Sequence, residues 1–187
     1  MIRLGSNSPT RAKILRSFNI DFIQNGGNFD EDSIRTTNPK EFCFMATKGK
    51  FEELYSKYGI EDMPLLVADS VVTCEGKLLR KAKDFDDAKS MIELQSGNKT
   101  SVISCMIFKS KELELIDISI TSYDFMEFDK KDIENYIKSG ECFGKAGAIK
   151  HSLVNKIWTF INCYFSDALL KYFCPYFNIK YRHFLYL

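Results

Sequence analysis

The stretch Leu65-Leu66-Val67-Ala68-Asp69-Ser70-Val71-Val72 constrains the fold of this chain more than any other. It is apolar on both sides, with one carboxylate in its middle, and that pattern predicts a buried strand. A carboxylate on such a strand is costly unless it is paired, hydrogen-bonded or bound to a metal. One reading makes Asp69 a turn or capping residue between two short strands. The apolar flanks favour the other, in which Asp69 is held at a strand end facing a polar site. Ligands of open α/β sheets sit beyond the carboxyl ends of the strands.

The rest of the chain supplies elements that can surround such a strand. Ile2 to Leu4 is a short first strand, followed by the polar turn Gly5-Ser6-Asn7-Ser8. Ser8 is a suitable N-cap and Pro9 suits the first helical position, so a helix is expected from Pro9 to about Phe18. A strand is expected over Asp21 to Gln24, then an acidic loop from Gly26 to Thr37. Asn38-Pro39-Lys40-Glu41 opens a second helix, expected to reach Tyr58. Strands over 65–74 and 78–79 meet at Glu75-Gly76-Lys77. Asp84 caps a helix to Gln95, closed by Gly97. Strands over 100–108 and 113–125 flank a Ser110-Lys111-Glu112 turn, and Asp129 caps a helix to Lys138. This alternation predicts an α/β class, and the late hairpin argues for a mixed sheet.

The composition excludes several classes. A length of 187 residues fits one domain, with room for two lobes. With 26 Lys+Arg against 25 Asp+Glu, the net charge of +1 is no footprint for long nucleic acid. The start lacks the apolar core of a signal peptide, and no apolar run has the length of a membrane span. The six cysteines are scattered with no C-x-x-C pair, which suggests neither zinc nor disulfides but reduced thiols in a cytoplasmic protein.

After Ile149 the chain changes character. Residues 151–187 hold eleven aromatics and one acid, Asp167. The expectation is a domain over 1–149 and a divergent segment over 150–187 foreign to the fold, with one helix over Asp167 to Phe173. Its composition is that of A/T-rich codons read in an unintended frame. A lineage-specific extension and a membrane- or partner-binding tail are the alternatives.

No G-x-x-x-x-G-K-[ST], no G-x-G-x-x-G after a strand and no H-E-x-x-H occurs, and Gly144-Lys145-Ala146-Gly147 is too short for a phosphate loop. Both histidines, His151 and His183, lie in the aromatic tail, which disfavours a Ser-His-Asp or Cys-His site. What remains is an anion-binding set. Ser6, Ser8 and the free N–H groups of the first helix can receive a phosphate. Arg11, in the first turn, opposes the helix dipole, so an anion explains it better than stability does. Lys48 sits at the border of the second helix's apolar stripe, and Lys81 follows the strand paired with the Asp69 strand.

These residues carry a resemblance. Ser6-x-Ser8-Pro9-x-Arg11, Asp30-Glu31, Lys48, Ala68-Asp69-Ser70-Val71-Val72, Gly76 with Lys81, Ala88 with Ser96-Gly97, and Tyr136-Ile137, Gly140-Glu141 and Lys145-Ala146-Gly147 occur in this order. Over residues 1–149 the chain resembles the Maf family of nucleoside triphosphate pyrophosphatases. The resemblance implies a mixed α/β fold with an elongated central sheet flanked by helices and a central cleft, a homodimer, a divalent metal (Mg²⁺, with Mn²⁺ as the alternative), and cleavage of non-standard or pyrimidine nucleotides to monophosphate and pyrophosphate. It implies Asp69 as general base, Arg11, Lys48 and Lys81 as phosphate-binding cations, Ser6 and Ser8 in the phosphate-facing turn, and a metal held by Glu31 and Asp69.

The departures fall on Thr10, where the family has Arg, and on Ser70, where it has Thr; both bear on base choice. Ala82 replaces a Pro, Thr100 a His and Gly144 an Asp. The Gln-Gly step and late Gly-Leu-Pro of the family do not occur. A nucleotide-binding protein without turnover is therefore the second reading.

Overall fold

The computed structural model describes residues 1–149. The aromatic segment, its expected helix and both histidines lie outside the described residues. In chain order the elements are β1 (Ile2–Leu4), α1 (Pro9–Ser17), β2 (Phe22–Gln24), a 3₁₀ turn (Glu31–Ser33), α2 (Pro39–Tyr58), β3 (Leu65–Cys74), β4 (Lys77–Leu79), α3 (Phe85–Gln95), β5 (Lys99–Lys109), β6 (Glu114–Asp124) and α4 (Lys130–Lys138).

The helices start where their caps place them. Ser8 Oγ accepts from the Arg11 N–H, Asn38 Oδ1 from those of Lys40 and Glu41, Asp84 Oδ1 from Asp87, and Asp129 Oδ1 from Lys131. Each bond satisfies an amide that the helix itself leaves without a partner. One detail differs from a reciprocal capping box. The Glu41 carboxylate takes the Thr36 hydroxyl, and the Asn38 N–H donates to Thr36 Oγ1 instead.

The sheet is mixed, in the order β2-β1-β3-β5-β6. β1 runs parallel to β2 and to β3, whereas β3, β5 and β6 are antiparallel neighbours. β4 pairs antiparallel with the far end of β3. This pairing leaves a notch on one edge of β3. β1 follows β3 only to Leu66, and β4 joins it only at Val72. Asp69 sits in the middle of that gap, while on the opposite edge β5 pairs with β3 along its whole length.

Strand alternation sends neighbouring β3 residues to opposite layers. Leu66 and Ala68 pack with Ile2, Leu4, Met106 and Phe108 against Ala12, Leu15 and Phe18 of the α1 region. Leu65 and Val67 pack with Ile107 against Phe51 and Leu54 of α2, and Val71 packs with Ile103 and Cys105 against Phe42, Cys43 and Ala46. A separate cluster joins α3 to α4 through Ala88, Ile92, Ile133, Tyr136 and Ile137. Val67, Asp69 and Val71 thus share the α2 layer, and the one polar member of the three lies at the notch.

Candidate active site

Two close approaches bring an acidic loop to Asp69. The Phe29 ring lies on Gly49 of α2, so near that a Cβ there would stand 2.2 Å from the ring. Only a glycine allows that contact. Next to it, the Asn28 N–H donates to both carboxylate oxygens of Glu53, at 2.9 and 3.0 Å. The 3₁₀ turn that follows has no buried residue. Its position therefore rests on these two anchors and on the ion pairs of its acids.

Those pairs form one alternating chain of charge. Lys50 Nζ donates to Glu31 Oε1 at 2.6 Å and to Asp69 Oδ2 at 2.8 Å. The other oxygen of Asp69 lies 3.6 Å from Arg11 Nη2, and Arg11 Nη1 donates to Ser6 Oγ at 3.0 Å. The other oxygen of Glu31 lies 3.6 Å from Arg80 Nη2, and Arg80 Nη1 donates to Asp32 Oδ1 at 2.5 Å. Five elements contribute: α1, the acidic loop, α2, β3 and the end of β4.

The Asp69 side chain is only 13% exposed, so its two cations relieve a desolvation cost that an unpaired carboxylate would bear in full. Burial pulls the Lys50 ammonium toward neutrality, but the charges and hydrogen bonds of Asp69 and Glu31 outweigh it. Its pKa ends above the ordinary lysine value. Lys50 is therefore fully charged at neutral pH. Behind Asp69, burial first and the carboxylate's charge second push the Cys43 thiol up to about 12. Burial likewise pushes Cys105 up to about 11. Neither thiol is a nucleophile at neutral pH.

A cleft of about 530 Å³ opens beside this chain of charge. Asn28 to Asp32 line one side, Leu79 to Lys81 and Lys83 the other, and Phe42, Asp69, Ser70, Val71 and Ala146 complete it. The Lys145-Ala146-Gly147 stretch holds the far side. Ala146 forms an antiparallel bridge with Lys81, and the Gly147 N–H donates to the carbonyls of Leu79 and Arg80 at 3.2 and 3.1 Å. Gly147 has φ +68°, and a Cβ there would stand 2.8 Å from Val72. The carbonyl of Gly147 accepts from Gln95 Nε2 at 2.7 Å, which ties the stretch to α3.

The structure brings together Asp69, Glu31, Arg11, Ser70 and Lys81 of the residues singled out from sequence. Ser6 and Ser8 form the turn behind Arg11, where Ser6 Oγ also accepts from the Ser8 N–H. Arg11 has an internal anion to face, Asp69, which accounts for its position against the helix dipole. Thr10 is exposed on α1 and does not line the cleft. Ser70 Oγ hydrogen-bonds Ser104 Oγ at 2.9 Å.

Lys48, expected among the phosphate-binding cations, does not line the cleft. It lies on the outer side of α2, more than half exposed, and pairs with Glu52 at 3.6 Å. Lys50, two residues on, faces Asp69 and Glu31 instead. The reason is helical phase: Cys43, Ala46, Thr47 and Leu54 are buried against the sheet, and Lys50 follows Cys43 by seven residues and Thr47 by three. Lys48 is two residues off that face. The spacing from Cys43 and Thr47 is the signal that selects Lys50. Arg80 was also missed, and only the chain's path across the cleft reveals it.

The residues present fit a hard divalent cation. Glu31 and Asp69 aim carboxylate oxygens at one point, now held by the Lys50 ammonium. No group of three or more His, Cys, Asp or Glu suited to a metal occurs among the described residues. Two carboxylates, with further ligands from substrate phosphates and water, are the usual provision for Mg²⁺ rather than for zinc. Among the described residues no helix is long and apolar enough to cross a membrane.

Comparison with known proteins gives a consistent set. Residues 1–162 match the family described as Maf-like protein. A nucleoside triphosphate pyrophosphatase of Nitratiruptor sp. is 47% identical over 150 residues, 79% of this chain and 80% of that protein. One from Helicobacter pylori is 37% identical over 147 residues, 79% of this chain and 77% of that protein. One from Campylobacter jejuni subsp. jejuni is 32% identical over 159 residues, 80% of this chain and 82% of that protein. Among solved structures, the Ham1 protein of Staphylococcus aureus aligns with a TM-score of 0.45 and 10% identity, over 83% of this chain and 90% of that one.

Proposed function

The chain belongs to the Maf family, and from that premise we propose that it hydrolyses a nucleoside triphosphate to a nucleoside monophosphate and pyrophosphate. The observation that carries the reading is the pairing of Glu31 and Asp69 on one ammonium at the wall of a cleft lined by further cations. A cleft with that many charges, already satisfied among themselves, suits a ligand that is itself polyanionic and arrives with its own cation.

In this reading Arg11, Lys50 and Lys81 bind the phosphates, with Ser6 and Ser8 shaping the turn that holds Arg11. Glu31 and Asp69 would hold a divalent ion, Mg²⁺ or Mn²⁺, which would supply charge neutralisation at the phosphates. Lys50 then turns from the two carboxylates to the phosphate chain. Asp69, released from Lys50, orients a water and takes its proton as the water attacks the α-phosphate. Arg11, Lys50 and Lys81 meet the charge that builds on the departing pyrophosphate. Ser6 holds Arg11 and the Ala146 bridge holds the Lys81 backbone before the substrate arrives, so the reorganisation falls on Lys50.

Ser70, beside Asp69 on the cleft wall, is the nearer of the two residues proposed to bear on base choice, and Thr10 the more distant. The substrates in this reading are non-standard or pyrimidine nucleotides, removed as house-cleaning, by a homodimer. The free, buried thiols of Cys43, Cys74, Cys105 and Cys142 support a reducing compartment, the cytoplasm.

A panel of nucleoside triphosphates assayed for pyrophosphate release, with and without Mg²⁺, tests the reading. The expected result is metal-dependent pyrophosphate from at least one of them. Tight nucleotide binding with no product from any would leave the chain a binding protein and overturn the proposal.

A further inference from the structure

Arg80 spans the mouth of the cleft. It leaves the end of β4 on one side, and its guanidinium reaches Glu31 and Asp32 of the acidic loop on the other. Phe42 lies under it, with the ring centroid 5.3 Å away. The two acids hold it unequally. Asp32 is 80% exposed, so its pair with Arg80 is screened by solvent and easily opened. Glu31 already gives its other oxygen to Lys50. A guanidinium carries five N–H donors in a planar fork suited to phosphate, and the loop engages one oxygen of each acid. The remaining donors belong to a group that lines the cleft.

We propose that Arg80 is a nucleotide-binding residue, and that on substrate entry it exchanges the Asp32 carboxylate for a phosphate of the nucleotide. Asp32 is its resting partner, which keeps the guanidinium at the cleft mouth until a nucleotide binds. The inference rests on the cleft being a nucleoside triphosphate site. It predicts opposite signs for two substitutions. Removing Arg80 deletes a phosphate ligand. Removing the charge of Asp32 frees Arg80 and favours the exchange. A merely structural Arg80, tying the loop to β4, predicts the same sign for both.

The test measures binding of an α,β-methylene nucleoside triphosphate by calorimetry in Mg²⁺, using the whole chain. Arg80→Ala is expected to weaken binding by about 10–100-fold, the worth of a charged hydrogen bond. Arg80→Lys should recover part of the loss, since charge returns without the fork. Asp32→Asn should tighten binding several-fold, and that gain should vanish in the Arg80→Ala background, which marks the two residues as coupled. Asp32→Asn weakening binding, or tightening it equally in both backgrounds, overturns the exchange; so does Arg80→Ala binding like a normally melting parent. A parent that binds no nucleotide and releases no pyrophosphate overturns the site reading itself. A parent that does both, with unaltered Arg80 variants, overturns only this inference.

Discussion

Lys50 Nζ lies 2.8 Å from Asp69 Oδ2, linking the middle of α2 to the one notch in the edge of β3. The same ammonium holds Glu31 at 2.6 Å. One side chain therefore satisfies both of the carboxylates proposed to hold the metal. In the proposed reading, metal and nucleotide bind by an exchange of partners.

Lys50→Ala should consequently damage both stability and turnover. It leaves two partly buried carboxylates short of a cation, at a cost of about 1–3 kcal/mol. It also removes a phosphate ligand, at a cost of about 10²–10³ in rate. Lys48→Ala, on the outer side of the helix, should stay within about 0.5 kcal/mol of the parent. Urea titrations and steady-state kinetics on both variants check this. A Lys48 variant as impaired as the Lys50 variant would restore the assignment drawn from sequence.

Asp69→Asn keeps the shape of the site and loses the base. The rate should fall by about 10²–10⁴, while nucleotide binding persists or tightens because a negative charge near the phosphates has gone. Kinetics paired with calorimetry read the two effects apart. A variant as fast as the parent would remove Asp69 from the reaction.

The helices and most strands were legible in the sequence because their signals are local. Ser8, Asn38, Asp84 and Asp129 cap within a few residues of themselves, and the 65–72 run is apolar on both sides of Asp69-Ser70. Asp69, Glu31, Arg11 and Lys81 followed from strand ends, helix starts and resemblance. The choice between Lys48 and Lys50 needed the phase of α2 relative to the sheet, which Cys43 and Thr47 set. Arg80 needed the crossing from β4 to the acidic loop, separated by 48 residues in sequence. Nothing local marks such a pair.

Gly147 tests how far the Lys145-Ala146-Gly147 stretch positions Lys81. Gly147→Ala forces a Cβ toward Val72 at a positive φ, and should lower stability by about 1–3 kcal/mol and weaken nucleotide binding. Gly140 has a similar φ of +72° with no atom within 4 Å of an added Cβ. Gly140→Ala should therefore cost only the backbone strain, about 1–2 kcal/mol, and leave binding intact. Equal effects on nucleotide affinity would contradict the role given to the stretch.

The thiols behind Asp69 predict an alkaline limit. Cys43 and Cys105 rise from an ordinary value of 9.0 to about 12 and about 11. A raised pKa means that the folded state keeps a proton the unfolded chain loses. Their contribution is therefore full below pH 9.0 and is lost as pH rises through about 11 and then about 12. Melting temperature should fall from pH 9 upward, and iodoacetamide at pH 8 should leave both residues unlabelled in the folded protein. Rapid labelling of Cys43 in the native state would contradict the packing of α2 on the sheet.

The central claim is attack by water at the α-phosphate, assisted by Asp69. Turnover in ¹⁸O-labelled water, with products separated and weighed by mass spectrometry, tests it most directly. The account predicts one labelled oxygen in the nucleoside monophosphate and none in the pyrophosphate. Label in the pyrophosphate with an unlabelled monophosphate, or labelled orthophosphate beside a nucleoside diphosphate, would contradict it.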